Sequence, residues 1–214
     1  MSPKSELCIK SSILLSHPLP LRPCIFLDRD GVLIKEVHYI SNPNHVQLES
    51  GVIDFLLLAK EYSYHTVVVT NQSGIGRGYS TWNDYDSVTS KMLYMLGEEN
   101  LLTAIYANSF VDDNYFRKPY PGMLIQALSE LPIDLSNSLI IGDKTIDLIA
   151  GRRAGVPSLN LVMTGHGSNE FSLYYRHNIE QCNNNFYLVD GPTRSKINII
   201  QNLANLSLTP YAHQ

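Results

Sequence analysis

Asp28 and Asp30 stand one residue apart, directly after the apolar run Cys24-Ile25-Phe26-Leu27 and directly before Gly31. A buried strand tolerates two carboxylates only where its end opens into a site, because an unpaired buried charge is very costly. Asp beside Gly also initiates turns, so the pair alone leaves both readings open. Three further polar clusters decide between them: Thr70-Asn71, Arg117-Lys118, and Asp143-Lys144 with Asp147. Together they make an acidic centre ringed by hydroxyl and cationic donors. Hard oxygen ligands of this kind suit Mg²⁺, and the cations and hydroxyl suit phosphate oxygens. The chemistry implied is Mg²⁺-assisted phosphoryl transfer.

Positioning these groups requires strands that end together. Cys24 to Leu27, Thr66-Val67-Val68-Val69 and Ser138-Leu139-Ile140-Ile141 are short apolar runs bounded by turn signals, the pattern of buried parallel strands. A further strand is expected over 104–110. Parallel strands bring all four clusters to one edge of the sheet, where open α/β folds collect ligands. Between the strands, Ser50 is expected to cap a helix carrying Val52, Phe55, Leu56 and Ala59 at helical spacing. Thr81 starts a second helix with Asp84 in a capping box, and Val88, Met92, Met95 and Leu96 share one face. Pro121 opens a third helix over 122–131, and Gly155 and Pro157 stop a fourth over 145–154. Strands over 158–162 and 186–189 and a helix over 194–206 complete the chain, while 168–185 is polar and shows no period. Strands alternating with helices predict a Rossmann-like, doubly wound parallel sheet sandwiched by helices. The spans 31–50 and 74–117 leave no room for a large cap domain. The catalytic domain is expected over 24–214. Residues 1–23 form an extension, mobile or loosely docked, ending at the breakers Pro18, Pro20 and Pro23.

Composition narrows the function classes. A chain of 214 residues, 44% hydrophobic and 17% charged, is globular and not disordered. Its formal charge of −4, without any Lys/Arg run, speaks against a nucleic-acid partner. The apolar runs fall far short of a membrane span. Cys8, Cys24 and Cys182 form no CxxC pair, which fits a cytoplasmic protein with reduced thiols, a monomer or a small homo-oligomer.

Asp28-Arg29-Asp30-Gly31-Val32, Thr70, Lys118 and Gly142-Asp143-Lys144-Thr145-Ile146-Asp147 resemble, in order and strand context, the four motifs of the haloacid dehalogenase-like (HAD-like) hydrolases. Thr70-Asn71-Gln72-Ser73-Gly74-Ile75-Gly76-Arg77-Gly78 and Arg117-Lys118-Pro119 are similar to one branch of them. That branch holds the D-glycero-D-manno-heptose-1,7-bisphosphate 7-phosphatases and the histidinol-phosphate phosphatases. The resemblance, over 25–167, implies a phosphatase that forms an aspartyl-phosphate. It makes Asp28 the nucleophile and Asp30 the general acid and later base, with Thr70 and Lys118 on the phosphoryl oxygens. It places Mg²⁺ on Asp28, the Asp30 backbone carbonyl and Asp143, and Asp147 as the group that orients a metal water or Lys118. Substrate contacts are implied at Tyr39, Asn71, Gln72, Ser73, Arg117 and Lys144, with Arg117 on a second anionic or polar group. Glu36, Val37 and His38 fit the family pattern poorly. The substrate implied is a small phosphorylated metabolite, foremost a sugar bisphosphate of the heptose type. Histidinol phosphate, a nucleic-acid 3′-phosphate and an inactive ligand-binding relative are the alternatives. Where the heptose branch carries a cysteine-rich zinc loop, 107–116 is short and has no cysteine, so no zinc is expected.

Overall fold

The computed structural model describes residues 8–16, 18–97, 101–173, 179–183, 185–190 and 192–211. Residues 1–7 and 17 of the expected extension, and 174–178 and 184 of the polar stretch, lie outside the described residues. In chain order the strands are β1 (Ile9–Ile13), β2 (Arg22–Leu27), β3 (His65–Asn71), β4 (Ala104–Asn108) and β5 (Ile133–Gly142). They continue as β6 (Ser158–Val162), β7 (Ile179–Cys182), β8 (Asn185–Asp190) and β9 (Thr193–Ile200). The helices are α1 (Val52–Glu61), α2 (Ser73–Gly76), α3 (Trp82–Leu96), α4 (Gly122–Glu130), α5 (Thr145–Arg153) and α6 (Gly167–Ser172). One sheet runs β1-β4-β3-β2-β5-β6-β9-β8-β7. The strands from β4 through β9 in that order are parallel, while β1 at one edge and β8 and β7 at the other are antiparallel.

Alternation along the central strands divides the core in two. Ile25, Leu27, Val68, Ile105, Leu139 and Ile141 face Phe55, Leu56 and Ala59 of α1 and Val88 and Met92 of α3. Cys24, Phe26, Val67, Val69, Tyr106 and Ile140 face Met123, Leu124 and Ala127 of α4 and Leu148 and Ile149 of α5. Helices on both faces of a parallel sheet are the expected doubly wound arrangement.

Thr81 caps α3 as expected: its hydroxyl accepts from the Asp84 amide at 3.2 Å, and the Asp84 carboxylate accepts from the Thr81 amide at 2.8 Å. Ser50 does not cap α1. Gly51 occupies that position at φ 79, a left-handed conformation that glycine adopts without strain. The segment 194–200, expected as helix, is strand β9. Ile197 and Ile199 face one core and Ile200 the other, which is a period of two rather than 3.6. Residues Ile9–Ile13 of the expected extension form β1, paired with β4 from Ile9↔Asn108 to Ile13↔Ala104. The Gly-rich run after β3 opens with one helical turn, α2. Among the described residues no helix is long and apolar enough to cross a membrane.

Candidate active site

Register brings the polar clusters together. Leu27 of β2 lies beside Val68 of β3 and Ile141 of β5, so Asp28, Thr70 and Asp143 leave the sheet at nearly one level. The Asp28 amide continues the ladder by donating to the Ile141 carbonyl at 3.1 Å.

At the centre is Lys118, 2% exposed. Its Nζ lies 2.6 Å from Asp147 Oδ1 and 3.1 Å from Asp28 Oδ1, and donates to the Val69 carbonyl at 2.7 Å. Burial alone would lower its pKa, but the Asp147 and Asp28 carboxylates win and hold the ammonium above its ordinary value. Asp28 Oδ1 also accepts from the Arg29 amide at 2.7 Å, which leaves Oδ2 without a hydrogen-bond partner among the described residues.

Asp143 is fully buried. The His166 amide donates to its Oδ2 at 2.8 Å, and its Oδ1 has no hydrogen-bond partner among the described residues. Gly31, at φ +82, passes so close that a Cβ there would collide with Asp143 Oδ2. Burial, then the charges of Asp28 and Asp147, push the Asp143 carboxyl up to about 8. Oxygens of Asp28, Asp143 and Asp147 lie within 4.8 Å of one another. Three buried carboxylates against the ammonium groups of Lys118 and Lys144 leave excess negative charge, and Oδ1 of Asp143 is unsatisfied. An all-oxygen donor set of this charge fits Mg²⁺. Asp147 spends Oδ1 on Lys118 and Oδ2 on the Lys144 amide at 3.0 Å, so it acts as a brace at the start of α5.

Asp30 is held from two sides. Arg29 donates to it through Nε at 3.2 Å and Nη2 at 2.9 Å, and Gln72 Nε2 donates to its Oδ2 at 2.8 Å. Gln72 Nε2 also donates to Thr70 Oγ1 at 2.9 Å, so the Thr70 hydroxyl keeps its own proton to give. Asn71 forms a strap around the Lys118 peptide. Its Nδ2 donates to the Lys118 carbonyl and its Oδ1 accepts from the Lys118 amide, each at 3.1 Å, and Asn108 Nδ2 donates to that Oδ1 at 2.7 Å.

Asp28, Arg29, Asp30 and Asp147 border a cavity of about 280 Å³, with Thr70 and Asp143 set behind its lining. Tyr39, Asn71, Gln72, Ser73, Lys118 and Lys144 all line it, together with Glu36 and His166. Burial lowers the Lys144 pKa, but Asp143, Asp28 and Glu36 more than reverse that. Arg117 is not among the lining residues. Its Nη1 donates to the Phe110 carbonyl at 2.8 Å, and burial, with Arg77 nearby, lowers its pKa. Sequence alone marks neither Arg29 nor Asn108 as a site residue. The signal available for Arg29 was a lone cation between two aspartates; nothing marked Asn108.

A HAD-hydrolase-like family model matches residues 115–182. A D-glycero-beta-D-manno-heptose-1,7-bisphosphate 7-phosphatase of Mesorhizobium japonicum is 40% identical over 147 residues, covering 64% of this chain and 68% of that protein. A D-glycero-alpha-D-manno-heptose-1,7-bisphosphate 7-phosphatase of Photorhabdus laumondii is 37% identical over 155 residues, covering 68% of this chain and 85% of its own. Among solved structures, D,D-heptose 1,7-bisphosphate phosphatase from B. bronchiseptica, complexed with magnesium and phosphate, superposes with a TM-score of 0.70 at 26% identity. That match covers 86% of this chain and 94% of the other.

Proposed function

Because the chain belongs to the HAD-like family of heptose-1,7-bisphosphate 7-phosphatases and is a phosphoric monoester hydrolase, we propose that it removes a phosphate from a sugar bisphosphate of the heptose type. The observation that carries the chemistry is Lys118 bridging Asp28 and Asp147 beside the unsatisfied Oδ1 of Asp143. Asp28 Oδ2 attacks phosphorus, forming an aspartyl-phosphate and dividing one hard displacement into two easier ones. Asp30 protonates the departing alkoxide and later takes the proton of the attacking water. The Thr70 hydroxyl and the Lys118 ammonium hold the phosphoryl oxygens as charge moves between them. Asp28, the Asp30 backbone carbonyl and Asp143 would hold Mg²⁺, which when bound neutralises charge on those oxygens. No zinc is part of this reading.

Tyr39, Ser73 and Lys144 line the remaining wall and are proposed to meet the sugar. Asn71 and Gln72 serve that wall while bracing Lys118 and Asp30. Arg117 is proposed at the outer end, toward a second anionic group.

A Mg²⁺-dependent phosphate-release assay tests the substrate. Heptose 1,7-bisphosphate is expected to give the highest kcat/KM in a panel with histidinol phosphate, simple sugar monophosphates and 3′-phosphorylated DNA. A higher value for any of the others overturns the assignment.

A further inference from the structure

Arg29 is among the largest fully buried side chains, 1% exposed; its backbone amide donates to Asp28, while its guanidinium turns to Asp30. Its guanidinium meets the Asp30 carboxylate through Nε at 3.2 Å and through Nη2 at 2.9 and 3.0 Å. The same Nη2 donates to Gln72 Oε1 at 3.0 Å, and Gln72 Nε2 returns to Asp30 Oδ2 at 2.8 Å. Arg29, Gln72 and Asp30 thus close a three-membered ring of hydrogen bonds in which none of the side-chain ends can rotate alone. The guanidinium is also supported from α3, where the Tyr85 ring lies 5.4 Å from Cζ. The remaining nitrogen, Nη1, is buried without a hydrogen-bond partner among the described residues. Leaving a buried donor unpaired costs stability. A fold that accepts that cost while spending the rest of the fork on one carboxylate is holding that carboxylate for a purpose.

We propose that Arg29, clamped by Gln72 and seated on Tyr85, is a positioning residue that fixes the Asp30 carboxylate for proton transfer to the leaving group. The proposal rests on the reading of Asp30 as general acid and base. Arg29 borders the cavity but is 1% exposed, and its fork is spent on Asp30 and Gln72, so its action on the reaction runs through the orientation of Asp30. A proton donor must sit within hydrogen-bond reach of the leaving oxygen, and a free carboxylate on a strand-end turn would sample several rotamers.

Leaving-group dependence separates this role from a merely structural one. An alkoxide needs a proton as it departs, whereas p-nitrophenolate does not. kcat/KM reports the phosphorylation half-reaction, in which that departure occurs. Arg29→Gln is expected to lower kcat/KM about 100-fold for a sugar phosphate and less than about threefold for p-nitrophenyl phosphate. Arg29→Lys retains the buried charge but not the fork. It covers the case of Arg29→Gln failing to fold, and it is expected to show the same split at smaller size. Asp30→Asn is measured alongside. A split in Asp30→Asn without one in the folded arginine variant overturns the positioning role, whether that variant is uniformly slowed or unchanged. No split in Asp30→Asn overturns the general-acid reading, and the positioning role with it.

Discussion

Charge does not balance at the buried end of the sheet, where Asp28 and Asp147 pair with Lys118 and Asp143 has only the more distant charge of Lys144 to offset it. The strain falls on Asp143, whose carboxyl is pushed from 3.8 up to about 8 by burial first and then by Asp28 and Asp147. A group with a raised folded-state pKa binds its proton more tightly folded than unfolded. The stability of the metal-free protein should therefore decline as pH rises from about 4 to about 8 and level off above that. A divalent cation competes with the same proton. Mg²⁺ is accordingly expected to raise Tm by several degrees more at pH 8 than at pH 6. Equal shifts at both values would show that Asp143 is not held protonated. Asp28→Asn keeps the volume of the side chain and removes the nucleophile. We expect turnover to fall by about 10⁴-fold or more with an unchanged circular dichroism spectrum. Activity within tenfold of the parent would remove Asp28 from the proposed role.

The elements explain why these residues arrive together, and also which of them could be read in advance. Cys24 to Leu27, Thr66 to Val69 and Ser138 to Ile141 announce themselves because each is apolar on both faces and stops at polar residues. The exposed edge hides its own strand: β1 reads Ile-Lys-Ser-Ser-Ile and becomes recognisable only through its pairing with β4. β9 fails for another reason. Its mixed run of polar and isoleucine residues suits either period until the two cores divide Ile197 and Ile199 from Ile200. Direction of side chains is equally silent in sequence, so Asn71 reads as a substrate contact, and nothing there shows that its amide also grips the Lys118 peptide and is itself held by Asn108. Asn71→Leu should release that strap and let the ammonium drift. Because an ångström of misplacement can cost about 100-fold, kcat is expected to drop by 10- to 100-fold, about, with the larger effect on kcat than on KM. A change in KM alone would return Asn71 to simple substrate contact. Thr81→Ala removes only the α3 cap. It should cost about 1 kcal/mol in urea unfolding and leave kcat untouched.

On the scale of the molecule, the cavity is walled by loops of the domain itself. The stretch from Gly31 to Ser50 is tied to itself through the Asp30–Ile34 and Ile34–Leu48 bridges and buries Val32, Leu33, Ile34, Ile40 and Val46 in the core. A segment tied down by that much apolar burial is a fixed wall, not a lid. Discrimination among substrates then falls to the side chains the wall presents. Tyr39 is the prominent one: it sits at φ 50, an uncommon conformation for a tyrosine. Its ring packs 4.9 Å from Tyr79 and 4.1 Å from His38 while lining the cavity. Backbone strain of this kind persists only where surrounding contacts impose it. Removing the ring should therefore enlarge the cavity without disturbing Lys118, Asp28 or Asp30 on the opposite elements. Tyr39→Ala is expected to raise KM for the sugar bisphosphate about tenfold, a loss of roughly 1.4 kcal/mol of binding, while kcat stays within about twofold. If kcat falls instead and KM holds, the loop takes part in assembling the reacting groups, and the picture of a rigid, capless cavity is wrong.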